Sequence, residues 1–169
     1  MKITKTITIN KSVEQVWKLI AHDFDKAHLW MGPIPRSYAI GEGNGNNGAP
    51  MKGRMCDLTN KPNGAQVKEL ISHYSEQDKT LAFDVFPVNN PAIVPIKQNS
   101  VWMSVRAIDD NRSEVTWIAS PQLKAMAYLF YPLLRIVFPA AFSKLLKGLK
   151  VYAEQTLPDS APVVTRPTI

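Results

Sequence analysis

Ile7-Thr8-Ile9-Asn10-Lys11-Ser12-Val13-Glu14-Gln15-Val16-Trp17 changes its hydrophobic period part-way along, and that change decides how the fold begins. Up to Ile9 the residues alternate, with Ile3, Ile7 and Ile9 on one face, which predicts a half-buried strand over 2–9. Ser12 followed by Gln15 is a capping box, in which each side chain answers a backbone N–H of the other. From there Val13, Val16, Trp17 and Ile20 recur at helical spacing and form one buried stripe. A second short helix is expected over 23–29, with Asp23 and Asp25 as cap residues and Pro33 and Pro35 as its stop.

Downstream of this start the sequence reads as hairpins. Strands are expected over 37–41, 51–59, 66–74, 80–86, 100–108 and 112–119, with turn residues such as Asn60-Lys61-Pro62-Asn63-Gly64 between them. In the last hairpin, pairing Val101 with Ala119, Met103 with Trp117 and Val105 with Val115 collects the apolar residues on one face. The same register sets Arg106 opposite Glu114 and Ser104 opposite Thr116 on the other. In the hairpin before it, pairing Tyr74 with Thr80 sets Ile71 against Phe83, Glu69 against Val85 and His73 against Leu81. Strand 51–59 has two readings: one turns Met55 and Asp57 inward, the other Arg54, Cys56 and Leu58.

Ser120-Pro121 reads as a cap followed by a first-turn proline, so a long C-terminal helix is expected over 121–155, broken or kinked at Pro132 and Pro139. Its apolar stripe is Leu134, Phe138, Ala141, Phe142, Leu145, Leu149 and Tyr152. The predicted class is α+β: about six or seven antiparallel strands curved around the long helix, with two short helices after the first strand. Residues 1–156 then form one domain. The stretch 157–169, with Pro158, Pro162 and Pro167 and no period, reads as a flexible tail.

Composition narrows the function. A chain of 169 residues with 45% apolar and 20% charged residues suits a single packed core. The lone Cys56 excludes an intramolecular disulfide and a cysteine-based zinc site, and points to a reducing, cytoplasmic setting. The first residues lack the apolar core of a signal peptide, so the sequons at Asn10 and Asn111 read as coincidental. The net charge of +6 comes without any basic run interleaved with aromatics, so nucleic acid is not expected as a partner. His22, His28 and His73 have no metal-ligand spacing, and neither a metal nor another cofactor is expected.

The order of elements resembles the START and birch-pollen-allergen-like (SRPBCC) superfamily, whose domains have the helix-grip fold. The resemblance is carried by the opening stretch through Trp17 with Asp23-Phe24, by Val67-Lys68-Glu69-Leu70-Ile71 followed by Leu81-Ala82-Phe83, and by Ser113-Glu114-Val115-Thr116-Trp117 ahead of the final helix. These stretches are similar to the branch described as polyketide cyclase, dehydrase and lipid transport. The resemblance implies a cavity between sheet and helix that holds a hydrophobic small molecule, in a carrier or sensor, or in a cyclase- or dehydrase-type enzyme.

Candidate cavity residues are Trp30, Arg54, Glu69, Ile71, Phe83, Met103, Trp117, Phe138, Phe142 and Leu145. Trp102 falls on the outer face. Glu69, inward among apolar neighbours, must be paired, hydrogen-bonded or protonated. Its functional reading is a ligand anchor, or an acid or base acting near Arg54 or His73. Its plain structural reading is an ion pair with Arg54 or Lys52. As an anchor, Glu69→Gln would change ligand binding more than stability. Gly43-Asn44-Gly45-Asn46-Asn47-Gly48 has the spacing of a dinucleotide loop but leads into a strand instead of a helix, so a nucleotide site is rejected. Gly43 and Gly45, with Pro91 in the proline-rich loop, are instead expected at the cavity entrance.

Residues 125–143 hold one charge, Arg135, and are long enough to span a bilayer, but Pro132, Pro139 and the central arginine argue against a transmembrane segment. Two readings remain for Tyr128, Leu129, Phe130 and Tyr131: transient contact with a membrane surface, or, preferred, cover for the sheet.

Overall fold

The computed structural model describes residues 1–91 and 94–158. Strand β1 (Ile3–Ile9) ends where the capping box begins. There Gln15 N donates to Ser12 Oγ at 3.4 Å, and Ser12 N donates to Gln15 Oε1 at 3.2 Å. Helix α1 (Val13–Trp17) widens into a π-helical turn at Lys18–His22. The expected second short helix is a 3-10 segment, Phe24–Leu29. Together they carry the chain from one edge of the sheet to the other.

The remaining strands are β2 (Arg36–Glu42), β3 (Met51–Asp57), β4 (Gln66–Ser75), β5 (Thr80–Val88), β6 (Ile96–Asp109) and β7 (Arg112–Leu123). All pairs are antiparallel, in the order β1-β7-β6-β5-β4-β3-β2, which leaves β1 and β2 at the edges. The β6–β7 register is the one the apolar and charge pairs require: Val101 faces Ala119, Met103 faces Trp117 and Arg106 faces Glu114. In β3, Arg54 and Cys56 are the buried pair.

Within the sheet, two expectations are corrected. Ile71 faces Phe83 and Glu69 faces Val85, but the ladder shifts between Ile71 and His73, so Tyr74 faces Leu81 and His73 faces Ala82. This β-bulge at Ser72 inverts the side-chain alternation beyond it. Tyr74 turns into the core, and His73 stacks on Trp102, ring centroids 4.9 Å apart. The second correction is at Ser120-Pro121, which starts no helix. Both residues lie in β7, opposite Ser100 and Asn99. By Pro121 the β7 strand has run past its β1 neighbour, and proline is tolerated on such an edge.

A 3-10 segment, Ala125–Phe130, follows, and the long helix α2 runs Tyr131–Thr156 with Pro132 in its first turn. It is continuous through Pro139, whose carbonyl accepts from Ser143 Oγ at 2.9 Å. Its inner face is shifted from the expected stripe. Leu134, Leu146, Leu149 and Ala153 are the buried residues, while Phe138, Phe142, Leu145 and Tyr152 are partly buried and Ala141 is exposed. Gly148 lets α2 press against the 24–30 segment, since an added Cβ would lie 2.5 Å from the Trp30 carbonyl oxygen.

Tyr128, Leu129 and Phe130 do not cover the sheet; all three are exposed. The reach Ala125–Thr156 is long and apolar enough to cross a membrane by length and composition. Of the expected tail, Leu157 and Pro158 are held: Lys11 Nζ donates to the Leu157 carbonyl at 2.6 Å and Gln15 Nε2 to that of Pro158 at 2.8 Å. Residues 159–169 lie outside the described residues.

Candidate functional site

Between the inner face of the sheet and α2 lies a cavity of about 320 Å³. Its floor is the alternation of the central strands: Phe83 and Val85 from β5, Asn99 and Val101 from β6, and Trp117 from β7. Met31, Pro33 and Ile34 form one side and Ala141, Phe142 and Leu145 of α2 form the roof. Ala141 and Lys144 are exposed, so the mouth opens beside α2. A second hollow of about 780 Å³ runs outside along α2, from Leu29 and Trp30 to Gln155. It is the larger of the two, but Leu29, Lys144, Lys147 and Val151 on its wall are exposed, so it is a surface groove and not an interior site.

Of the expected cavity residues, Glu69, Phe83, Trp117, Phe142 and Leu145 line the interior space. Trp30 packs edge-on against Trp117, centroids 6.4 Å apart, and lines the outer groove. Ile71 and Met103 are buried in the solid core, and Phe138 lies on α2 outside the lining. Gly43, Gly45 and Pro91 do not border the cavity. Gly45 has a local reason to be glycine, since a Cβ there would meet the Ala49 carbonyl oxygen at 2.2 Å.

Arg54 stands behind Glu69 and not in the cavity. Arg54 Nε and Nη2 donate to Glu69 Oε2 at 2.7 and 2.6 Å, and Nη1 donates to the Phe24 carbonyl at 2.7 Å. The guanidinium carbon lies 4.0 Å from the centre of the Phe24 ring and 5.7 Å from that of Phe83, which adds cation–π attraction in a desolvated place. The plain structural reading of Glu69 therefore describes it, although the residue also contributes to the cavity wall. Cys56, beside this pair, has its thiol pushed up to about 12 by burial, against the lowering influence of Arg54. At neutral pH it is an inert thiol. His73, the other suggested partner of Glu69, is on the outer face.

Two polar atoms in this neighbourhood have no hydrogen-bond partner among the described residues. They are Asn99 Oδ1 and Trp117 Nε1, both buried and both on residues that line the cavity. A buried polar group left unpaired costs about 1–3 kcal/mol, so each calls for a reason. Asn99 was not among the sequence candidates. The signal was present: extending the alternation Val105, Met103, Val101 by one step places Asn99 on the inner face, and β6 starts at Ile96 instead of residue 100. The ionisable side chains on the wall are Glu69 and Lys144. Among the described residues no group of three or more His, Cys, Asp or Glu is placed to hold a metal ion.

An antiparallel seven-stranded sheet closed by a long C-terminal helix, with short helices after the first strand, defines a helix-grip protein of the START and birch-pollen-allergen class. The chain matches the family described as polyketide cyclase / dehydrase and lipid transport over residues 1–154, and it belongs to that family. Among solved structures it is similar to a START superfamily protein from Mycobacterium smegmatis, at 13% identity, covering 91% of this chain and 97% of that one with a TM-score of 0.70. Ara h 8.0201 is similar at 15% identity, 92% and 98% coverage and TM-score 0.66. An uncharacterised protein from Bacillus thuringiensis is similar at 21% identity, 89% and 97% coverage and TM-score 0.64. Such identities carry the fold alone. No curated protein matches the chain.

Proposed function

We propose that this protein carries or senses an apolar small molecule, held in the cavity between sheet and α2 and anchored by one hydrogen-bonding group. The observation that supports this is the pair of unpartnered polar atoms, Trp117 Nε1 and Asn99 Oδ1, on residues of a mostly apolar wall whose ionisable members are Glu69, held by Arg54, and Lys144 at the mouth. Trp117 Nε1 donates and Asn99 Oδ1 accepts. A hydroxyl, which does both, is the simplest group to satisfy them. The volume lies near the lower end of small-molecule pockets, about 300–1,000 Å³, which suits a compact ring or a short chain better than a sterol-sized body. We favour holding over cyclase- or dehydrase-type chemistry because Glu69 is tied to Arg54 in a buried ion pair through Oε2, and the other ionisable side chain on the wall is Lys144 at the mouth, so an acid and a base do not converge on one point. The lone buried Cys56 fits a cytoplasmic setting.

The test is competition. Anilinonaphthalene sulfonate should fluoresce on binding, and decanol should displace it at lower concentration than decyl methyl ether, which cannot donate. Asn99→Leu nearly keeps the cavity's shape, Trp117→Phe enlarges it by part of the indole, and each removes one polar partner. Asn99→Leu removes the acceptor of the hydroxyl proton and should shrink the preference for the alcohol by roughly tenfold, the value of one buried hydrogen bond, whereas Trp117→Phe removes a donor that alcohol and ether oxygens both accept from and should weaken both alike. If the folded protein binds no apolar probe, or if the preference for the alcohol survives Asn99→Leu, the reading is wrong.

A further inference from the structure

Among the described residues, the most exposed large apolar side chains are gathered in one place. Leu129 is 82% and Ile136 72% exposed, and Met126, Tyr128, Phe130 and Leu133 stand beside them in the 3-10 segment and the first turns of α2. Leu133, Ile136 and Val137 fall at i, i+3 and i+4, so they share one face of α2, opposite the face that carries Leu146, Leu149 and Ala153 to the core. Monomeric proteins seldom leave such a cluster uncovered without a use for it.

The charges around the cluster indicate what covers it. Between Glu114 and Glu154 the sequence has no acidic residue, while Lys124, Arg135, Lys144, Lys147 and Lys150 are all basic. Arg135 is exposed in the same turns of α2, off this face, and Lys144 stands at the cavity mouth further along the same helix. Exposed apolar side chains with tyrosines among them, on a segment whose charged residues are all basic, are the composition of a surface that sits in a lipid interface. We propose that the face built from residues 126–137 docks on an anionic lipid bilayer, with Leu129 and Ile136 inserted below the headgroups and Arg135 paired to lipid phosphate or carboxylate. The helix lies on the bilayer and does not cross it, because Leu146, Leu149 and Ala153 of the same helix are buried against the sheet. Docking in this pose would bring the mouth beside Lys144 close to the lipid surface. The proposal stands without the cavity reading.

Co-sedimentation with vesicles tests it, comparing phosphatidylcholine alone with an equal mixture of phosphatidylcholine and phosphatidylserine. The protein should bind the mixed vesicles more tightly, and added salt should weaken that binding, since screening shortens the reach of surface charge. Leu129→Glu combined with Ile136→Glu should reduce binding roughly tenfold or more, by replacing inserted apolar groups with anions. Arg135→Gln should cost about fivefold on mixed vesicles only, the effect of one basic residue at such a surface. Ile108→Glu, at the opposite end of the β6–β7 hairpin, should change nothing. The substituted side chains are exposed, so circular dichroism and Tm should match the parent. Leu129→Ser alone carries the same test if the double variant does not fold. Absence of vesicle binding overturns the proposal, as does binding undiminished in the double variant. So does a face that only pairs two copies of the chain, or only captures another protein, without binding lipid.

Discussion

Removing the Glu69 carboxylate would leave the Arg54 guanidinium charged, buried and without its counter-ion. Arg54 is 2% exposed, so water cannot replace what is lost. Two charge-assisted hydrogen bonds go, at 2.7 and 2.6 Å, and the bond to the Phe24 carbonyl and the contact with its ring remain. Breaking a buried pair from one side costs about 3–5 kcal/mol, which we expect for Glu69→Ala. Glu69→Gln keeps an acceptor oxygen but no charge, and should cost about 2–3 kcal/mol by the same reasoning. Changing both partners to apolar residues of similar size, Arg54→Met with Glu69→Leu, should return stability to within about 1 kcal/mol of the parent, because no stranded charge is left. Urea unfolding is the assay. With a slope of about 2 kcal/mol per molar, Glu69→Ala should lower the midpoint by about 1.5–2.5 M. This reverses the sequence expectation that Glu69→Gln acts on ligand binding more than on stability. A cost for Glu69→Ala below about 1 kcal/mol, or a double variant no better than the single ones, would refute the reasoning.

Three other outcomes follow from the structure. Burial by itself would raise the Glu76 carboxyl, but hydrogen bonds from Trp17 Nε1, the Tyr74 hydroxyl, His22 and Lys79 hold it well below the usual carboxylate range. With the folded value below the unfolded one, its contribution is complete above about pH 4.5 and lost as pH falls further. Glu76→Gln should therefore flatten the acid limb of Tm against pH, and an unchanged limb would count against this network. Gly148→Ala should lower Tm, because overpacking against the Trp30 carbonyl, about 1–3 kcal/mol, outweighs the gain of about 1 kcal/mol in helix propensity; an unchanged or higher Tm contradicts the close approach. Cys56 should react with Ellman's reagent only after unfolding, and full reaction in the native protein would show that the thiol is not buried.

Local chemistry made much of the fold legible. Ser12 and Gln15 announced α1 because a capping box is completed within four residues. The β6–β7 register was readable because the apolar pairs and the Arg106–Glu114 pair agree on a single alignment. The site was less legible. Of the expected cavity residues, those on regular stretches of the central strands, Phe83 and Trp117, and on α2, Phe142 and Leu145, do line it. Ile71 and Met103, deeper in the core, Arg54, behind Glu69, and Phe138, on α2 outside the lining, do not. His73 was assigned to the wrong face because a bulge inserts a residue without any distinctive side chain, and Ser72 looks like any other strand residue. Ser120-Pro121 carries a valid helix-start signal, but the β6 partner strand extends to Ile96 and holds it extended.

The class of fold, the order of its elements and the apolar character of its inner face could be read along the chain, because they follow from periodicity, caps and turns that act over a few residues. Only the tertiary structure decided that Arg54 occupies Glu69, that Asn99 and Trp117 share one cavity, and that Leu129 and Ile136 face outward. Each of these depends on which distant residues meet across the sheet and helix, and hydrophobicity along a chain does not distinguish a side chain that covers a core from one left without a neighbour.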